Sequence, residues 1–170
     1  MLSFLFRRLT AQPPRGAPLF ALVTDQARRP HWYVEGKVPD TLDGRFALLA
    51  TVAALVLVRL ERDGAEGDAA SVAFTERFIE VMESEHRELG IGDPTLGRTV
   101  RKLVGSLARR VELWRSVTTG ERDPVEATRE SLYKGAAEAD ALAHSAAAIE
   151  RLQRRLDAAD LAALELGKWR

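Results

Sequence analysis

Cysteine is absent from this chain, which removes disulfides, thiolate metal sites and cysteine nucleophiles together and suits a reducing compartment. Net charge is absent too: 25 basic residues balance 25 acidic ones, so bulk electrostatics selects neither nucleic acid nor membrane as a partner. Aromatics are scarce at 6%. Long apolar runs are missing as well. The longest, Phe46 to Val58, has 13 residues, whereas a bilayer-spanning helix needs about 20. The three histidines, His31, His86 and His144, each stand alone with no carboxylate or second histidine at ligand spacing, so no metal site is expected. No serine sits in a nucleophile-elbow context, and no pair of carboxylates marks a general acid and base. The sequence points away from an enzyme, a cofactor or a small-molecule substrate.

What is abundant is alanine, leucine, arginine and glutamate, a composition that favours helix. At 170 residues the chain is long enough for one domain with its own core. Residues 1–17 read as a flexible basic tail and linker. Arg7, Arg8 and Arg15 precede any acid, and AQPPRGAP breaks regular structure. The tail also has the composition of a membrane-surface anchor or an organellar presequence.

From residue 18 a helical domain is expected to run to 170. Leu19, Phe20, Leu22 and Val23 lie on a first helix that Pro30 stops. HWYVEGKVPDTLDG is expected to be an irregular loop laid over the core. A second helix, Thr41 to Arg62, is apolar on every side and should be central. DGAEGDAAS reads as a polar loop before a third helix from about Ser71 to Leu89. A fourth runs from Asp93, as N-cap ahead of Pro94, to about Thr118, and a fifth opens at Asp123-Pro124. The alanine-rich end carries a stripe of Leu142, Ile149, Leu152, Leu156, Leu161 and Leu164. The fold class is all-α, a single-domain bundle of about six helices.

The stretch HRELGIGDPTLG has the glycines of a phosphate loop, but a helix precedes it where a strand is required, and the lysine of a nucleotide loop is missing. A helix corner accounts for it instead. Gly90 takes a left-handed position, Gly92 gives freedom and Asp93 caps the next helix.

A corner does not require the preceding His-Arg-Glu. HRELGIGDPTLGRTVRKLVGSLARRVELW, with ARRPHWYVEGKVPDTLDGRFALL upstream, resembles the two signature blocks of the ubiquinol-cytochrome c chaperone family. Pro39, Asp40, Thr41, Asp43, Gly44, Arg45 and Phe46 match the first block; Arg87, Glu88, Gly90, Gly92, Asp93 and Arg110 match the second. The resemblance covers about residues 18–118. Where members often carry Phe-Tyr-Gly before the equivalent of Arg110, this chain has Leu107-Ala108-Arg109. The resemblance implies an all-helical assembly factor for the cytochrome bc1 complex, holding newly made cytochrome b without catalysis. Mitochondrial members act with a small accessory protein near the ribosome. It implies a place in the bacterial cytoplasm, peripheral on the inner face of the membrane, or in the matrix of a mitochondrion.

Two charge clusters flank the helix ends: Asp40, Asp43 and Arg45 in one, Arg87, Glu88 and Asp93 in the other. They read either as caps and ion pairs or as a partner-binding surface. Trp32 and Tyr33 suit a core cover and a binding surface equally. The fourth helix carries Arg98, Arg101, Lys102, Arg109, Arg110 and Arg115 against the single acid Glu112. Arg98, Lys102 and Arg109 share one face, which suits RNA, anionic lipid or an acidic protein. Its flank is also expected to pair with the acidic third helix, which bears Glu76, Glu80, Glu83, Glu85 and Glu88. A ribosome- or RNA-binding adaptor using that basic face is the alternative function.

Overall fold

The computed structural model describes residues 15–88, 90 and 93–168; of the tail and linker expected over residues 1–17, residues 1–14 lie outside it, and the first helix already begins at Ala17. The described residues form helices and connecting turns, with no strand among them. In chain order the helices are α1 (Ala17–Ala27), α2 (His31–Val34), α3 (Leu42–Leu60), α4 (Gly64–Glu88), α5 (Asp93–Thr118), α6 (Pro124–Tyr133), α7 (Ala139–Ala158) and α8 (Leu161–Glu165). Six have ten residues or more; α2 and α8 are single turns.

The apolar helix α3 is the hub, packed on by α1, α4, α5, α6 and α7, with the broadest contact to α5. Every residue from Ala50 to Val56 is buried, so the helix has no wet face over two turns. Four alanines at 47, 50, 53 and 54 keep it thin where neighbours press in, and Val52, Leu55 and Val56 fill between them. Its one buried hydroxyl, Thr51, donates to the Ala47 carbonyl at 2.7 Å, leaving nothing unsatisfied. Thr41 is its N-cap and accepts from the Gly44 amide, so the cap falls to Thr41 while Asp40 is taken by Arg45.

At the far end of α3 the buried Arg59 acts as a cross-link. Its guanidinium donates to the carbonyls of Leu156 and Ala159 and pairs with Asp63 at 2.5 Å. It thereby supplies donors to the C-terminus of α7, the end where carbonyls lack helical partners. Asp160 then caps α8 through the Ala163 amide. The leucine stripe of the C-terminal region is the inner face of these two helices, with Leu142, Ile149, Leu152, Leu156 and Leu164 buried and Leu161 partly so.

Two expectations need correction. The expected loop DGAEGDAAS is helical, because α4 begins at Gly64, directly after a 3-10 turn over Glu61–Asp63. Gly64 makes the reversal with φ of 58°, and Gly67 lets α4 cross against α3: a Cβ there would stand 2.0 Å from the Leu60 carbonyl oxygen. The two glycines serve a sharp reversal and a close approach rather than a flexible connection. The expected irregular segment also contains one helical turn, α2, whose Trp32 indole donates to the Gln26 carbonyl at 2.9 Å. Gly90 does end its helix with φ of 79°, its amide bonded to the Arg87 carbonyl.

A Gly67→Ala change should therefore cost about 1–3 kcal/mol, because backbone must move to admit one methyl. Gly97→Ala, in mid-helix with open space around it, should instead stabilise by about 0.5–1 kcal/mol. Urea unfolding of the two variants beside the wild type measures both signs.

Candidate client-binding groove

A concavity of about 990 Å³ runs between α1, α2, the start of α3 and the C-terminal half of α4, with Leu103 of α5 at its side. Its floor is apolar. Phe20 comes from α1, Phe46 and Leu49 from the first turns of α3, and Val81 and Met82 from α4. These side chains are buried or half-buried against the core, and Phe20 and Phe46 lean on the buried Phe78. At the rim stand two large apolar side chains left in water, Leu42 at 71% exposure and Val34 at 67%. Charge surrounds them: Arg28, Asp40, Asp43, Arg45, Arg77, Glu85 and His86 also line the groove. An apolar trough with a polar rim is the anatomy of a surface that takes an apolar partner out of water.

The sequence of the first block explains its shape. Thr41 and Gly44 start α3 so that Leu42, Phe46 and Leu49 fall on one side, at i, i+4 and i+7. Gly44 has no room for a side chain, since a Cβ would meet the Pro39 carbonyl oxygen at 1.9 Å. That contact folds the Val-Pro-Asp segment back over the helix start. Asp40 and Arg45 lock the bend with a 2.6 Å ion pair, and the Arg45 bond holds the Asp40 carboxyl below the usual carboxylate range. Asp43 reaches Lys134 at the end of α6, 3.0 Å away. Tyr33 forms part of the wall and donates to the Ala27 carbonyl at 3.1 Å; burial pushes its phenol up.

Of the residues singled out from sequence, Tyr33, Asp40, Asp43 and Arg45 thus meet at one groove. Trp32 is 3% exposed and serves the core. Arg87 and Glu88 are exposed at the end of α4, outside the groove walls, where Arg87 lies 4.0 Å from Glu83; their neighbours Glu85 and His86 are the ones that line it. The His86 ring is anchored on the Met82 carbonyl at 2.7 Å. The side chain of Asp93 lies outside the described residues, as do Ile91 and Gly92.

Arg98, Lys102 and Arg109 are exposed on α5, away from the groove. Arg110 turns inward instead, its guanidinium donating to the Ser106 hydroxyl and the Ser131 carbonyl, and burial lowers its pKa. The expected pairing of α5 with the acids of α4 is not formed among the described residues. Arg115 reaches Glu61 and Glu112, and of the α4 glutamates Glu80 and Glu83 pair within their own helix, with Arg77 and Arg87. Sequence reading passed over Val34, Leu42, Val81 and Met82. The i, i+4, i+7 set from Leu42 was the available signal, hidden because all of α3 reads as apolar.

The histidines are not all solitary. His31 and His144, 113 residues apart in sequence, come within 3.1 Å, Nδ1 to Nε2, and neither lines the groove. Among the described residues no third ligand joins them. Burial, with His144 next, lowers the pKa of His31 below the ordinary 6.5; Arg151 and Arg29 add to this and Glu35 opposes it. Below about pH 6.5 the unfolded chain therefore takes up a proton that the folded chain resists, so this contribution to stability is lost as pH falls. Thermal unfolding between about pH 7.5 and 5.5 should show a falling midpoint, with a shallower slope in His31→Gln.

Comparison with known proteins bears on the chain as a whole. The crystal structure of the Cbp3 homolog from Brucella abortus shares its fold, with a TM-score of 0.72 over 98% of this chain and 94% of that one, at 22% identity. A comparison with curated proteins found no match. The family model for "Ubiquinol-cytochrome C chaperone" matches residues 34–170. That match runs through the alanine-rich C-terminal helices, which the motif resemblance over 18–118 left aside, and it takes in the groove-forming start of α3. The chain belongs to the ubiquinol-cytochrome C chaperone family.

Proposed function

We propose that the protein is an assembly chaperone for the cytochrome bc1 complex, that its client is unassembled cytochrome b, and that the client is held in the groove between α1, α3 and α4. The observation that carries this reading is the coincidence of the family's first block with an apolar trough whose rim leaves Leu42 and Val34 in water. Cytochrome b is an apolar membrane polypeptide, and before assembly its helix faces need cover. Val34, Leu42, Phe46, Leu49 and Val81 offer that cover by area alone, and the rim charges Asp40, Asp43 and Arg45 orient the segment at its polar ends.

No chemical step is needed. Binding is reversible and release follows when a cofactor or subunit competes for the same client surface, so the protein works as a non-enzyme. It acts at the cytoplasmic face of the membrane, or the matrix face in a mitochondrion. Among the described residues no helix is long and apolar enough to cross a bilayer, which fits peripheral attachment. A small accessory protein and the ribosome are the further partners that the family reading supplies.

The test is recovery of cytochrome b with tagged protein from detergent-solubilised membranes of the source organism. Leu42→Glu is the discriminating variant: position 42 is exposed at the first turn of α3, where an acid suits the helix dipole, so the fold survives. The wild type should retain cytochrome b, and the variant should lose about tenfold or more, the cost of one anchoring side chain in a binding surface. Recovery of RNA and ribosomal proteins with no cytochrome b would replace this reading with the adaptor alternative.

A further inference from the structure

The groove leaves one prominent surface unused. On α5, Arg98, Arg101, Lys102 and Arg109 are exposed, and among the described residues none of them takes part in an ion pair. The two other arginines of the helix are engaged, Arg110 with Ser106 and Ser131 and Arg115 with Glu61 and Glu112. Arg115 is shared between Glu61 and Glu112, the single acid between residues 94 and 118, so one of those two carboxylates stays uncompensated. A neutral protein thus carries four unpaired cations against at most one acid on one side of one helix.

The geometry of the strip is simple. At about 100° and 1.5 Å per residue, Arg98, Lys102 and Arg109 fall within about 40° of one another along about 16 Å. Arg101 flanks them. Gly105 lies between the arginines on the same side, where a Cβ would meet only the Arg109 guanidinium at 3.7 Å, so nothing but cationic stems rises from this part of the helix. We infer that this face of α5 docks on an anionic lipid bilayer, its four cations lying in one plane over the headgroup phosphates.

Two observations favour a bilayer over a nucleic acid. A straight helix edge offers its charges to a plane. Residues 94–118 contain no Asn or Gln to read base edges, and their one aromatic, Trp114, is fully buried, so there is no stacking platform. Leu103, the groove's lining residue on α5, lies about 140° round the helix from Arg98, so strip and groove face different ways and can be occupied independently.

The test is sedimentation of the purified full-length chain with vesicles of phosphatidylcholine, with and without phosphatidylglycerol, at low and raised salt. Binding should need the anionic lipid and weaken with salt. Each cation near the surface is worth about fivefold in partitioning, so the Arg98→Ala/Lys102→Ala/Arg109→Ala triple variant should bind about a hundredfold more weakly. An Arg122→Ala/Arg154→Ala control, changing two exposed arginines on other surfaces, should barely differ from wild type. Equal binding to neutral vesicles overturns the inference, as does anionic binding unchanged in the triple variant. Salt-sensitive RNA binding lost in that variant, with no vesicle binding, overturns it and gives the strip to nucleic acid. The triple variant should still hold cytochrome b in detergent, so loss of lipid binding and loss of client binding are separable.

Discussion

A helix buried on all sides must be matched by neighbours at every turn, and α3 sets that requirement for the whole molecule. Its alanines define how near the other helices come, and its valines and leucines fix where they interlock. The glycine at 67 exists because α4 returns across α3 at backbone distance. The one charged side chain that α3 buries, Arg59, is satisfied by carbonyls from another helix rather than by water. Substitutions in this helix act on several interfaces together, which is why its composition is so restricted.

The groove follows from where that cover stops. α1, α4 and α5 close over the middle of α3 but leave the inner side of its first turns partly bare. Leu42, Phe46 and Leu49 continue the apolar character of the helix into that opening. The same hydrophobic surface is thus core at one end of a single helix and binding floor at the other. Around it, short-range locks hold the exposed end in shape: the Thr41 cap, the Gly44 close approach, and the Asp40–Arg45 and Asp43–Lys134 pairs. A preformed, locked trough loses little order when a partner enters, which favours binding.

Much of the architecture was readable because helix signals are local. The caps at Thr41 and Asp123, the left-handed Gly90 and the apolar span of α3 each depend on a few adjacent residues. The failures share a different cause. Gly64 and Gly67 look like loop residues in sequence, but Gly64 serves a left-handed reversal and Gly67 a close approach to Leu60, which only the fold reveals. His31 and His144 meet across more than a hundred positions, beyond any spacing rule. Arg110 and Arg98 belong to the same basic helix, yet one bonds a neighbouring helix and the other faces solvent, because only Arg110 lies where α6 passes. Of the charged motif residues, Asp40, Asp43 and Arg45 stand at the groove and Arg87 and Glu88 outside it, while the apolar floor was concealed in a helix already assigned wholly to the core.

The Arg59 cross-link has a consequence for biosynthesis. Its carbonyl acceptors lie 97 and 100 residues further along the chain, on a helix that carries neither signature block. While the chain is being translated, α1 to α5 emerge with this guanidinium paired to Asp63 alone, in a site built to exclude water. The native hub can close only when α7 leaves the ribosome and brings its C-terminal end to Arg59. That end of the hub is therefore completed last, and the motif-poor C-terminal helices act as the clasp that closes it, at the end of α3 opposite the groove.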